Sequence, residues 1–141
     1  MIVELTVDLL EHIQVHGERA YPEEGAGLLL GSLVDGHKRI SEILELPNIR
    51  EEPARRNRYQ LTPEDYIHGE DEAARRGLEV LGVFHSHPDH PSQPSEFDRE
   101  WAMPWFSYLI TSVQSGKAHE SRSWRLSEDR SQFEEELLLV K

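Results

Sequence analysis

Residues 26–48 read AGLLLGSLVDGHKRISEILELPN, and this stretch restricts the chain more than any other. AGLLLGSLV is nearly continuous in apolar residues, as expected of a strand buried on both faces. Such a strand belongs inside a sheet that is covered on both sides. Asp35-Gly36 is a strong hairpin signal, because both residue types tolerate positive φ. HKRISEILELPN then reads as the partner strand, stopped by Pro47.

The rest of the chain alternates between the two periods. IVEL (2–5) predicts a short strand, and Thr6 can cap a helix running to about residue 19. Leu9, Leu10, Ile13, His16 and Ala20 lie near one face of that helix, and YPEEG breaks it. IREEPARRNR (49–58), with Arg50, Arg55, Arg56 and Arg58, reads as an exposed loop, after which YQL returns briefly to the sheet. Thr62-Pro63-Glu64 looks like a helix start, and that helix should end at Gly77. LEVLGVFHSH (78–87) predicts a buried strand, PDHPSQP a loop, and Ser95 the start of a short helix to about Ala102. WFSYLITS (105–112) and AHESRSWRL (118–126) predict strands joined by an SGK turn. FEEELLLV reads as a strand on the sheet edge. The pattern implies one α/β domain (a mixed α+β sheet) over residues 1–141, with a central, curved, largely antiparallel sheet flanked by helices.

Composition removes several classes of function. Asp and Glu number 27 against 15 Lys and Arg, a net charge of -12. A chain this acidic is a poor ligand for a nucleic-acid backbone or an anionic membrane. The charge favours solubility and suits either a basic partner or a saline interior. The chain has no cysteine, so disulfides, thiolate metal sites and a Cys nucleophile are excluded. MIVELTVDLLEHI lacks a basic segment and a long apolar run, and nothing approaches an apolar span of about 20 residues. A cytoplasmic location is therefore expected. Oligomeric state leaves no mark in the sequence.

The chemistry gathers in GVFHSHPDHPSQPSEFD (82–98). His85 and His87 are two apart at the end of a strand, so both imidazoles point the same way. Asp98 follows in the first turn of the next helix, where the loop can bring its carboxylate back over the strand end. Two His and one carboxylate leave an open position on zinc, the arrangement of a catalytic site in which a metal-acidified water attacks. A base must take that water's proton. Glu24, just before the buried strand, is the attractive candidate. Ser95 lies within a helical turn of Asp98 and can hydrogen-bond an oxyanion.

At these residues the chain resembles the JAMM (MPN-plus) metalloproteases. HSHPDHPSQPSEFD matches their His-x-His-Pro, six-residue loop and Ser-x-x-Asp, and YPEEGAGLLLG matches their Glu-x-x-Gly segment. LPN, NRY with LTPED, and WFSYLIT extend the likeness over nearly the whole chain. The resemblance implies a JAB/MPN domain of cytidine-deaminase-like fold holding one zinc per chain. His85, His87 and Asp98 would be the zinc ligands, Glu24 the general base and then acid, and Ser95 the group steadying the tetrahedral intermediate. It implies hydrolysis of a peptide or isopeptide bond at the Gly-Gly tail of a ubiquitin-like or sulfur-carrier protein. Many small members carry Cys where this chain has Ala26, a position that flanks the site.

Other readings stand beside these. The chain could be a non-catalytic interaction module of the same fold, but the intact set of five residues favours the enzyme. A two-His-one-carboxylate iron site usually has a different ligand order, and a zinc deaminase needs cysteines. Ser95 and Asp98 also fit a helix cap. Pro88, Pro91 and Pro94 fit a docking PxxP, yet serve better as a brace for the loop. His90 reads as exposed and His16 as a half-buried packing residue. Trp101, Trp105 and Phe106 read as core, with a wall for the substrate tail as the alternative.

Overall fold

The computed structural model describes residues 1–47 and 61–141. The loop at 49–58 with its arginines, and most of the YQL segment, lie outside the described residues. The elements are β1 (Ile2–Leu5), α1 (Val7–Ala20), β2 (Ala26–Val34), β3 (His37–Leu46), α2 (Pro63–Arg75), β4 (Glu79–Pro88), α3 (Glu96–Trp101), β5 (Ser107–Gln114), β6 (Lys117–Leu126) and β7 (Phe133–Val140).

Local signals set most boundaries. Thr6 Oγ1 accepts the Leu9 N–H at 3.1 Å and starts α1. Thr62 and Asp65 form a reciprocal capping box at α2, with Pro63 opening the helix. Asp35 and Gly36, at φ 52° and 78°, turn β2 into β3, the geometry that matches the twist of a two-residue hairpin.

The strands close into a barrel in the order β1-β3-β2-β4-β5-β6-β7. β2 pairs antiparallel with β3 and β4, and β6 antiparallel with β5 and β7. The parallel contacts are β4 with β5 and β1 with both β3 and β7. FEEELLLV is thus a strand, but it is not at an edge. β7 lies between β6 and β1, and closure through β1 is a long-range event that no local pattern reports. β5 also begins at Ser107 and not at residue 105, because Phe106 turns back to donate to the Met103 carbonyl at 3.1 Å. Trp101 and Trp105 are exposed, and only Phe106 of that aromatic trio enters the core.

β2 and β4 are covered on both faces, as the run of leucines requires. Leu29, Leu81, Phe84 and Leu109 pack with Ile13 of α1. Leu28, Leu30, Val83 and Tyr108 pack with Ala73 of α2 and with Ala102. Lys38 is buried in the barrel wall, where its ammonium donates to the carbonyls of Leu81 (3.3 Å) and Trp105 (2.7 Å) and to Ser107 Oγ (2.9 Å). Burial lowers its pKa, and these acceptors hold the charge in place.

β4 is the strand that positions the site. It lies antiparallel to β2 on one side and parallel to β5 on the other, so its C-terminal end sits where pairing changes sense. Backbone approach there is close: a Cβ on Gly82 would stand 2.1 Å from the Ser107 carbonyl oxygen. Gly82→Ala is expected to destabilise the protein by about 3 kcal/mol, the upper range of core overpacking. Urea unfolding of the variant measures it, and a loss under about 1 kcal/mol would contradict the tight β4–β5 contact.

Candidate metal centre

β4 ends with His85 and His87 on one face, and α3 begins where its first turn can meet them. Ser95 Oγ accepts the Asp98 N–H at 3.1 Å, and Asp98 Oδ2 accepts the Ser95 N–H at 2.8 Å. This capping box fixes the Asp98 carboxylate over the strand end. His85 Nε2 lies 3.2 Å from His87 Nε2, His87 Nε2 3.1 Å from Asp98 Oδ2, and His85 Nε2 3.4 Å from Asp98 Oδ1.

The hydrogen bonds of His87 decide what this triangle is. Its Nδ1 is 2.8 Å from the Pro91 carbonyl, which can only accept, so Nδ1 carries the proton. With a metal bound, the neutral tautomer would turn the Nε2 lone pair to the same point that His85 Nε2 and the Asp98 carboxylate face; without one, the short His–Asp98 distances are those of hydrogen-bonded ion pairs. Two imidazole nitrogens and a carboxylate brought this close in a buried site could hold a cation at their centre. The edge lengths agree with that: ligands about 2.0–2.1 Å from a tetrahedral zinc stand about 3.3 Å apart. The donor set of two neutral imidazoles and a carboxylate is one that zinc accepts, and the Pro91 carbonyl is the outer partner that orients such a histidine.

Glu24 approaches from the segment between α1 and β2. A carboxylate oxygen of Glu24 lies within 4.8 Å of the ring nitrogens of His85 and His87. Two triads therefore share the histidine pair. Burial pushes the Glu24 carboxyl up to about 9, helped by the negative charge of Asp98. Burial alone would raise Asp98 too, but His85 and His87 reverse this and hold it well below the usual carboxylate range. Burial lowers the pKa of His85. The two carboxyls thus differ widely in proton affinity, the arrangement expected when one holds charge and the other moves a proton.

Ser95 is exposed at the rim of a pocket of about 420 Å³, lined also by Glu24, His87, Gln93, Pro94 and Phe97. Its oxygen is engaged as a cap, and its hydroxyl proton remains available to the pocket. His90 lies exposed on the same rim. The 88–94 loop is held from below: Trp124 Nε1 donates to the Ser92 carbonyl at 2.9 Å, and Ser112 Oγ to the His90 carbonyl at 2.6 Å. The five residues singled out in the sequence therefore meet in one place. The anchors Ser112 and Trp124 were not foreseen, because single polar or aromatic residues carry no local signal of a distant partner.

A sequence profile of prokaryotic homologues of the JAB domain matches residues 6–127. The chain belongs to this family. A relative from Thermus thermophilus, named a probable TtuB-protein conjugate cleaving protease, is 31% identical over 76% of this chain and 70% of its own length. A desampylase from Haloferax volcanii is 31% identical over 79% of each chain. A solution structure of a protein from Salinibacter ruber shares 44% identity and a TM-score of 0.77, covering 98% of this chain and 91% of that one. The family and fold implied by the His-x-His and Ser-x-x-Asp pattern are those observed.

The raised Glu24 carboxyl gives the metal-free JAB domain a pH dependence. In the unfolded chain Glu24 ionises near its ordinary value, whereas in the fold it keeps its proton until about pH 9. Its contribution to stability is present at low pH and is lost as pH rises through that window, by up to about 1.4 kcal/mol per pH unit. Chemical denaturation of chelator-treated protein between pH 5 and 9 is expected to show this fall, and Glu24→Gln to flatten it. Parallel curves for the two proteins would contradict it.

Proposed function

We propose that this JAB-domain protein is a zinc-dependent hydrolase of the bond that follows the C-terminal glycine tail of a ubiquitin-like modifier. The observation that carries the reading is the buried convergence of His85, His87 and Asp98 beside a buried Glu24 carboxyl, open to solvent through a pocket. The names of the Thermus and Haloferax relatives support a protein conjugate as substrate.

His85, His87 and Asp98 would hold the zinc, whose Lewis acidity makes a water nucleophilic near neutral pH. Glu24 takes the proton of the attacking water on its carboxylate and passes it to the leaving amine nitrogen. Its burial suits this task, since a carboxyl in water would give up the proton too readily. Ser95 donates its hydroxyl proton to the oxygen that gains charge when the carbonyl becomes tetrahedral. His87 stays in one tautomer through the Pro91 carbonyl. A glycine tail, lacking side chains, can lie extended between Pro94 and Phe97 with its carbonyl over the site.

The test is zinc analysis joined to cleavage. About one zinc per chain is expected. Purified protein should cleave a ubiquitin-like protein carrying a C-terminal extension, or one linked to a lysine, and lose activity on chelation. Comparing the two substrates separates peptide from isopeptide preference. Wild type that binds no zinc would sink the proposal.

A further inference from the structure

Glu24 stands on an irregular segment, yet both ends of that segment are fastened to β4 and the loop behind it. At one end Tyr21 Oη donates to Asp89 Oδ2 at 2.7 Å. Asp89 is itself fixed: its N–H donates to the Val113 carbonyl at 2.6 Å and its Oδ1 accepts the Ser115 N–H at 2.8 Å. At the other end the Gly25 N–H donates to Ser86 Oγ, and the Ser86 N–H donates back to the Gly25 carbonyl, both at 2.9 Å. Ser86 separates His85 from His87 and points to the opposite face of the strand. There Gly17 of α1 comes so close that a Cβ on it would stand 3.0 Å from Ser86 Cβ.

The residues that grip the Glu24 segment are thus interleaved with, or follow directly on, the two histidines. We infer that Tyr21, Asp89 and Ser86 are positioning residues that set the Glu24 carboxyl against the histidine pair. The inference rests on the assignment of Glu24 as the base. A proton-transfer group must be held within about 0.5 Å of its productive place, and Glu24 lies between helix and strand, where such a clasp supplies the hold. Because the clasp is built on the strand that carries the histidines, any shift of β4 moves Glu24 with it.

Tyr21→Phe removes one hydroxyl and keeps the ring. In the zinc-loaded enzyme it is expected to lower kcat about fivefold, the effect of one hydrogen bond, with KM and zinc content unchanged. Ser86→Ala leaves the buried Gly25 N–H without its acceptor and should lower kcat by on the order of tenfold or more. Asp89→Asn keeps an acceptor for Ser115 and a donor for Tyr21, so it should lose less than Asp89→Ala. Backbone order parameters of residues 23–25, measured by NMR on zinc-loaded Tyr21→Phe, should fall below the rigid value of about 0.85. Unchanged kcat overturns the clasp, and so does a joint loss of kcat, KM and zinc, which would mean general loosening. If the wild type cleaves nothing, the proposed function fails, and the order parameters alone decide: a fall supports the clasp and unchanged values overturn it.

Discussion

Glu24→Gln is expected to bind zinc as the wild type does and to hydrolyse its substrate on the order of 10²–10⁴ times more slowly. The substitution preserves size and packing in a pocket where Glu24 is 4% exposed. It removes only the ability to accept a proton. The loss corresponds to about 3–5 kcal/mol of transition-state stabilisation. Because the proposed ligands are His85, His87 and Asp98 and not Glu24, zinc content should stay near one per chain. Turnover within threefold of the wild type would remove Glu24 from its role, while a parallel loss of zinc would make it a ligand instead.

Asp98→Asn is expected to lose zinc and activity together while keeping the cap of α3. Asp98 has two tasks: it faces His85 and His87, and it accepts the Ser95 N–H that caps α3. Asparagine can still accept that N–H but brings no charge to the cation. Weakening of an outer partner alone typically costs about 10–100-fold in metal affinity, so loss of a charged ligand should exceed 100-fold. Asp98→Ala should lose the zinc and, in addition, about 1 kcal/mol of helix capping. Competition with a chelator and urea unfolding, run on both variants, separate the two tasks. Zinc held by Asp98→Asn at wild-type affinity would exclude Asp98 as a ligand.

The site was legible because its parts are local. Period-two alternation puts His85 and His87 on one face, and a Ser-x-x-Asp spacing at a helix start puts Asp98 where a capping box needs it. The Asp-Gly hairpin and the Thr6 and Thr62 caps were readable for the same reason. What was not readable depends on residues far apart in the chain. β7 closes on β1 across most of the sequence, and FEEELLLV alone cannot say whether its second edge is covered. Lys38 sits in a strand of mixed polarity, and only the fold shows that three acceptors receive its ammonium. Trp101 and Trp105 look like core by composition, but the turn before β5 leaves them in solvent. Glu24 was placed by its spacing from a glycine, whereas the grip of Tyr21 and Ser86 on its neighbours spans more than sixty residues.

The closing of β7 onto β1 has a consequence for how the molecule is made. β1 is made before every other element of the domain, and β7, one of its two partners, after all of them. The Leu5 carbonyl accepts the Lys141 N–H, and the Lys141 carbonyl accepts the Val7 N–H. The ring therefore stays open until the last strand of the domain has been made, and pairings of such long sequence separation form slowly. The segment from Glu24 to Asp98 emerges earlier, but Trp124, which anchors the loop between His87 and Asp98, does not. A nascent chain stalled before β6 should carry every proposed zinc ligand and still lack the anchored loop and closed wall that give those ligands their spacing.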